Sequence, residues 1–170
     1  ALSEFGTAHL FDVINNNIGM GRVYNGLTTV FKANLDISPQ NLKEKYYTQK
    51  SGCFGCRVAC QHKHKIVSSR FGTIENEGPE YGVLAHFGPV LGINNLEAIL
   101  KINDVINRLG LDASSTANVI AWMIDLFKSN VIDEKFTDGL KLDWANDDLV
   151  LKLLDLITYR RGFGNFLAKA

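Results

Sequence analysis

The sequence contains few cysteines and few prolines. Only three of the 170 residues are cysteine, and only three are proline. All three cysteines fall within residues 53–60. An odd number of crowded cysteines does not suit a disulfide framework and indicates a reducing, intracellular setting. The expected location is therefore the cytoplasm. Because proline is rare and several long segments show helical periodicity, we expect a mainly α-helical chain.

The sequence also lacks an excess of charge of either sign and a long apolar run. Its 18 basic and 18 acidic side chains give a formal net charge of zero, so no nucleic-acid partner is expected. No apolar run approaches the roughly 20 residues that span a bilayer, and no signal-peptide pattern opens the chain. We therefore expect no membrane partner. The first residue is Ala1 rather than methionine, which predicts a fragment of a larger protein.

The three cysteines follow the spacing C-x₂-C-x₃-C at Cys53, Cys56 and Cys60. Thiolates this close in sequence can converge on one soft metal centre, which for thiolates is an iron–sulfur cluster or zinc. Both kinds of site usually take four ligands, and the chain has no fourth cysteine. His62 or His64 could complete a zinc site by spacing alone. An incomplete cluster site, a Cys₃His zinc site and metal-free thiols therefore remain alternatives.

Regular helices are predicted mainly in the second half of the chain. Apolar residues recur there at helical spacing, with capping residues at the segment ends. The first half is expected to contain irregular backbone, because residues 15–36 are rich in asparagine and glycine. The predicted helices cover residues 7–16, a short stretch from Ser38-Pro39, residues 95–109, residues 114–129, residues 147–161 and the tail. Residues 61–65 are expected to be a solvated basic strip and residues 66–74 a short β segment.

An acidic turn precedes an apolar segment in the middle of the chain. Glu77 and Glu80 flank a Gly-Pro pair, and His86 lies in the segment that follows. Such carboxylates usually belong to a solvent-facing helix start, and a lone histidine on an apolar face is usually a core residue. The three side chains nevertheless offer proton-transfer chemistry, because a desolvated carboxylate or imidazole titrates near neutrality.

A second polar segment joins two of the predicted helices. Asn107 is followed by Gly110, Leu111 and Asp112, which predicts a turn with a C-capping glycine and an N-capping aspartate. The same geometry places a carboxylate and free backbone groups at a helix terminus, where a polar heterocycle could be held. Spacing alone does not separate the structural from the binding interpretation.

Taken in order, these stretches resemble one family, the tungsten-dependent aldehyde ferredoxin oxidoreductases. Their order and spacing match over nearly the whole chain, from about residue 6 onward. No single motif decides the resemblance, but the ordered set is fairly specific. The residues that carry it are 53–60 (CFGCRVAC), 77–81 (EGPEY), 96–99 (LEAI), 107–112 (NRLGLD) and 161–164 (RGFG).

The resemblance implies a larger enzyme. Members of this family have an N-terminal β-rich domain that cradles a bis-pterin tungsten cofactor, with molybdenum as the alternative metal, followed by two mainly helical domains. This chain resembles the first helical domain, which is the second domain of the enzyme, so residues 1–170 are expected to form a single helical domain. Cys53, Cys56 and Cys60 would then supply three ligands of a 4Fe–4S cluster whose fourth cysteine lies in the next domain.

The resemblance also assigns roles to the polar segment. Asn107, Gly110, Leu111 and Asp112 match the family's D-x-x-G-L-D pterin-contact motif, with Asn107 in the place of the first aspartate. An amide still donates and accepts hydrogen bonds, so we expect the pterin contact to be weakened rather than lost.

Proton transfer is assigned by the same resemblance to Glu77, Glu80 and His86. Family members commonly have a further glutamate near the metal directly after the Gly-Pro-Glu-Tyr sequence, and this chain has Gly82 there. Either Glu80 or His86 takes over that function, or the chemistry differs from simple aldehyde oxidation. The family also includes tungsten enzymes that reduce aromatic rings.

The expected activity of the parent enzyme is oxidation of an aldehyde to a carboxylic acid, with ferredoxin as electron acceptor. The resemblance leaves a homo-oligomer open, and the isolated 170-residue chain is expected to be inactive. Three alternatives stand beside this function: a small Cys₃His zinc-binding module, a subunit of an aromatic-ring-reducing tungsten enzyme, and an electron-transfer subunit whose fourth ligand comes from a partner chain.

Overall fold

The structure is a computed structural model that describes residues 1–169. About half of these residues are helical, and they form only one small sheet, which confirms the mainly α-helical expectation. No helix among the described residues is both long and apolar enough to cross a membrane. The elements are α1 (Leu2–Phe5), α2 (Pro39–Tyr46), β1 (Tyr47–Ser51), β2 (Gln61–Ser68), β3 (Gly72–Glu77), α3 (Tyr81–Ala85), α4 (Leu96–Leu109), α5 (Ala113–Lys128), α6 (Asp147–Thr158) and α7 (Phe163–Leu167).

The N-terminal segment is helical but not a regular α-helix, so the helix predicted at residues 7–16 is wrong in type. A 3₁₀ turn, Gly6–His9, is followed by a π-helical turn, Asp12–Ile18. Asparagine side chains compete with the backbone ladder there: Asn15 Nδ2 donates to Phe11 O at 3.0 Å. Irregular backbone then continues up to α2, as predicted for residues 15–36.

The three strands form an antiparallel sheet in the order β1-β2-β3. The β segment predicted at residues 66–74 is part of the β2–β3 hairpin, in which Ile66 pairs with Ile74. Residues 61–65 are not the expected solvated strip, because they form the first half of β2 and bury His62 and His64. Since strand side chains alternate, both histidines lie on the same inward face as Ile66.

The C-terminal helices follow the sequence-based expectation closely. Asn95 and Asn146 cap α4 and α6 through their side chains, and Gly110 ends α4 in the left-handed conformation at φ +67°. Asp112 caps α5, which therefore begins at Ala113, one residue before the predicted start. These helices pack on the segment after β3. Fully buried side chains at the centre of this core are Phe11, Phe87, Leu91, Ile99, Ile102, Ile120, Leu153 and Leu154.

Candidate active site

The acidic turn between β3 and α3 is held in place from two sides. On the sheet side, the Gly78 N–H donates to His62 O at 3.0 Å, and His64 Nδ1 lies 2.5 Å from Gly78 O. On the helical side, Asn103 of α4 donates from Nδ2 to Glu77 O at 2.8 Å. The turn that carries both glutamates is therefore anchored to β2 and to α4, although the glutamate side chains themselves are exposed.

His64 serves this turn as a neutral hydrogen-bond donor. Burial lowers the pKa of His64 to about 4, and this effect outweighs the opposite influence of the Gly78 carbonyl. A neutral imidazole with its proton on Nδ1 donates to Gly78 O, which matches the contact. The His64 imidazole thus anchors the acidic turn to β2 and is not a solvent-exposed base.

A pocket of about 290 Å³ opens beside the acidic turn. Five of the residues predicted from sequence to carry function line it together: Glu77, Glu80, Asn107, Leu111 and Asp112. Gly110 does not line the pocket. It is the C-cap residue of α4 and lies between the pocket residues Asn107 and Leu111. The complete lining is Gln61, Glu77, Gly78, Glu80, Val83, Asn103, Ile106, Asn107, Leu111, Asp112 and Ala113.

Asp112, at the edge of the pocket, is the N-cap residue of α5. Its Oδ1 accepts from the backbone N–H of Ser115 at 2.6 Å and so caps α5. That N–H is the main cause of the lowered pKa of Asp112, with smaller contributions from the Ser115 side chain and from the nearby His86. The carboxylate is therefore ionised at neutral pH. Its second oxygen leaves a further acceptor available to a polar heterocycle.

His86 lies close enough to influence Asp112 but is not among the residues that line the pocket. Its Nδ1 donates to Gly82 O at 2.7 Å, a contact within one helical turn. The pocket lining therefore includes both glutamates but not His86. A Cβ at Gly82 would contact only Ser114 Oγ, at 3.7 Å, so this position has room for a side chain.

Two polar side chains of the pocket were not identified from the sequence, namely those of Gln61 and Asn103. Asn103 interrupts the apolar stripe of α4 four residues before Asn107, and two asparagines at i and i+4 on one helix face were a usable signal. Gln61 directly follows Cys60, and no feature of the sequence distinguishes it. Its place in the pocket follows from the register of β2 with β1, where it pairs with Ser51.

A segment that carries all three cysteines, residues 52–60, connects β1 with β2. It is pinched at its base, because a Cβ on Gly52 would lie 2.8 Å from Ala59 Cα. Cys53 and Cys56 are exposed and Cys60 is half-buried. The Cys56 N–H donates to Cys53 O at 3.0 Å, which forms a turn between them.

The chemistry of this segment suits a thiolate ligand set. Backbone N–H groups of Ala59 and then Val58 lower the pKa of the Cys56 thiol, which favours the form that binds metal. Within residues 1–169, however, no three His, Cys, Asp or Glu side chains lie close enough together to hold a metal ion. His62 and His64, the candidate fourth ligands of a Cys₃His zinc site, are buried in the sheet.

Comparison with known proteins identifies the chain's relatives. The family described as "Aldehyde ferredoxin oxidoreductase, domains 2 & 3" matches residues 1–170. The chain belongs to the aldehyde ferredoxin oxidoreductase family. The tungsten-containing aldehyde ferredoxin oxidoreductase of Pyrococcus furiosus is 32% identical over 169 residues, which are 99% of this chain and 27% of that protein. The corresponding protein of Thermococcus kodakarensis is 31% identical over the same share of each chain.

One further relative and one solved structure are also similar to the chain. The aliphatic sulfonate oxidoreductase WOR-like subunit of P. furiosus is 29% identical over 140 residues, covering 80% of this chain and 22% of that one. The active-site complex BamBC of benzoyl coenzyme A reductase shares the fold, with a TM-score of 0.60 and 22% identity over 76% of this chain and 19% of that chain. The chain spans about a quarter of the length of the curated relatives that it matches.

Membership in the aldehyde ferredoxin oxidoreductase family confirms the resemblance deduced from the sequence. The extent of the match confirms that this chain corresponds to a helical part of larger proteins. The cluster ligands, the pterin contacts and the proton-transfer residues stay predictions. The predictions for the two glutamates, Asn107 and Asp112 are supported by the position of these four residues at one pocket.

Proposed function

We propose that the full-length protein containing this chain oxidises an aldehyde and passes the electrons to ferredoxin. The observation that carries the proposal is the shared pocket: residues matching separate family motifs, Glu77, Glu80, Asn107 and Asp112, meet there after folding. One lining residue of the pocket, Gln61, directly follows Cys60 in the sequence. A substrate site and an electron exit would thus adjoin each other.

The reaction converts one aldehyde and one water into one carboxylic acid, two protons and two electrons. When bound, a tungsten–pterin centre would supply the two-electron chemistry, and a 4Fe–4S cluster would pass the electrons on singly. The residues of this chain would bind these groups, orient the substrate and remove the protons. Molybdenum instead of tungsten would leave these duties unchanged.

Proton removal falls to the two glutamates of the acidic turn. Both carboxylates are exposed at the pocket and stand on a backbone anchored by Asn103 and by the Gly78 contacts to β2. A carboxylate fixed in this way can accept the proton that water loses as it attacks the aldehyde carbon. His86 lies outside the pocket lining, and its imidazole would assist proton transfer from there.

Cofactor binding falls to the α4–α5 turn and to the cysteine segment. Asn107 and Asp112 would hydrogen-bond the pterin heterocycle, while Gly110 and Leu111 shape the turn between them. Cys53, Cys56 and Cys60 would ligate three corners of the cluster, with the fourth ligand supplied from outside this chain. Residues 1–170 would then act as one helical domain of a multidomain enzyme and show no activity by themselves.

The cysteine assignment is tested in the full-length protein purified without oxygen. Cys56→Ser should lower the iron content and abolish the EPR signal of the reduced cluster, because serine is a poor ligand for iron–sulfur clusters. Phe54→Ala is the matched control, since Phe54 is fully exposed in the same segment and has no ligand atom. Unchanged iron content in Cys53→Ser, Cys56→Ser and Cys60→Ser would disprove the cluster assignment.

Reduction of an aromatic ring is the second candidate, and Gly82 is the observation that favours it. The position has room for a side chain, but the carboxylate common among aldehyde-oxidising members is missing. Assaying the same protein with an aldehyde and a ferredoxin-type acceptor, and separately with an aryl-coenzyme A thioester and a strong reductant, distinguishes the two. Turnover of the thioester alone would replace the first proposal with the second.

A further inference from the structure

We propose that Thr7 is a positioning residue that holds the Glu80 carboxylate at the pocket. The Thr7 hydroxyl donates to Glu80 Oε2, and Thr7 Oγ1 itself accepts from the Tyr81 backbone N–H at 3.1 Å. The two residues are 73 positions apart in sequence, so the contact is made by the fold. This inference rests on the proposed proton-transfer role of Glu80.

A hydroxyl is chemically suited to this place. Tyr81 is the first residue of α3, and its N–H has no partner within the helix. Glu80 is the N-cap residue, but its own side chain makes no capping bond. Thr7 supplies that missing acceptor, while its proton is directed to the Glu80 carboxylate. One side chain therefore completes the helix start and selects a single orientation for an otherwise exposed, flexible glutamate.

The position of Thr7 is itself fixed by the cysteine segment. Gly6 lies at φ +63°, and a Cβ there would stand 2.7 Å from Cys60 O and 3.8 Å from His62 Nδ1. Only glycine allows this close approach of the backbone. Gly6 and Thr7 thus form a two-residue bridge from the backbone of Cys60 to the carboxylate of Glu80.

The first test compares two substitutions of Thr7 in the full-length enzyme. Thr7→Val keeps the shape but removes the hydroxyl, and should lower kcat for aldehyde oxidation about 10-fold with little change in KM, since misplacing a reacting group costs up to about 100-fold. Thr7→Ser keeps the hydroxyl and should retain most of kcat. Thr48→Val is the control, because the Thr48 hydroxyl contacts only Lys63 O in the sheet.

The second test asks whether Thr7 acts through Glu80. In a Glu80→Gln background, Thr7→Val should lower kcat no further, because the two changes remove parts of one unit. Independent, multiplying losses would overturn the proposal, and so would a full kcat in Thr7→Val when Glu80→Gln alone is impaired. A full kcat in Glu80→Gln would instead overturn the role of Glu80, and the inference about Thr7 with it.

A third measurement does not depend on turnover. Hydrogen exchange at the Tyr81 amide should become faster in Thr7→Val and stay slow in Thr7→Ser, because only the valine variant loses the acceptor. Unchanged exchange in Thr7→Val would overturn the contact itself. A merely structural role predicts faster exchange together with an unchanged kcat, so the two measurements separate positioning from stabilisation.

Discussion

The cysteine segment, residues 52–60, and the α4–α5 hairpin, residues 96–128, are held in place in different ways. In the hairpin, Ile99 and Ile120 are fully buried and the connecting turn is closed by Gly110 and Asp112. In the cysteine segment, Phe54 is fully exposed and one backbone hydrogen bond joins Cys53 to Cys56. Packing thus preforms the pocket wall, whereas Cys53 and Cys56 lie on an exposed segment outside the core.

The largest expected difference between these regions concerns stability. Ile99→Ala should lower the free energy of unfolding by about 3 kcal/mol, because it leaves a cavity in a core with no access to solvent. Phe54→Ala should change it by less than about 0.5 kcal/mol, because the ring buries nothing. Urea unfolding of the 170-residue chain measures both. A cost above about 2 kcal/mol for Phe54→Ala would mean that the cysteine segment packs like the hairpin.

The second expected effect is the pH dependence of stability caused by His64, which lies in β2 between the two regions in sequence. The folded pKa of His64 is lowered to about 4 from 6.5, so the unfolded state binds the proton more readily. Stability is therefore lost as the pH falls from about 6.5 to about 4, by about 3 kcal/mol in total. His64→Asn keeps a donor for Gly78 O and should flatten this dependence. Unfolding curves between pH 7 and pH 4 measure it.

A matched variant controls for the packing of His64. The Tyr47 ring packs against the rings of His62 and His64, and Tyr47→Phe keeps that ring. We expect Tyr47→Phe to show the same loss of stability at low pH as the unaltered chain. If the free energy of unfolding fell with pH equally in His64→Asn and in Tyr47→Phe, the titration of His64 would not cause the loss of stability at low pH.

The same contrast explains what the sequence could predict. Helices α4, α5 and α6 were predictable because apolar periodicity, capping side chains and a terminal glycine agree with one another. The strand that contains His62 and His64 was missed because its alternating lysines look like a solvated strip. Glu77, Glu80, Asn107 and Asp112 stand in short motifs and could be found, but their meeting at one pocket could not be read from spacing.

Thr7 marks the limit of prediction from a single sequence. Near the N-terminus, a threonine beside a glycine is unremarkable, and its hydroxyl gains significance only from Glu80 and Tyr81, more than 70 residues away. The same holds for Gln61, whose place depends on the register of β2. Contacts between distant segments arise from the packing of whole helices and strands, so the local propensity of a single segment does not predict them.

The third effect concerns the turn of the hairpin. Asp112→Ala removes the cap of α5 and should lower the free energy of unfolding by about 1 kcal/mol, while Asp112→Asn should recover most of that loss because its amide oxygen still accepts from Ser115 N–H. Asn146→Ala at the start of α6 is the matched control for a cap outside the pocket. Equal stability of Asp112→Ala and the unaltered chain would show that the pocket wall does not depend on this cap.

The smallest expected effect is that of the exposed thiols on the metal-free chain. Cys53→Ser and Cys56→Ser each remove a sulfur from an exposed side chain and should change the free energy of unfolding by less than about 0.5 kcal/mol. A loss above about 1 kcal/mol in urea unfolding under reducing conditions would contradict this. Because the backbone N–H groups that lower the pKa of Cys56 come from Ala59 and Val58, they remain after either substitution. The segment would then keep its turn without its thiols, which separates the residues that shape the ligand site from those that bind in it.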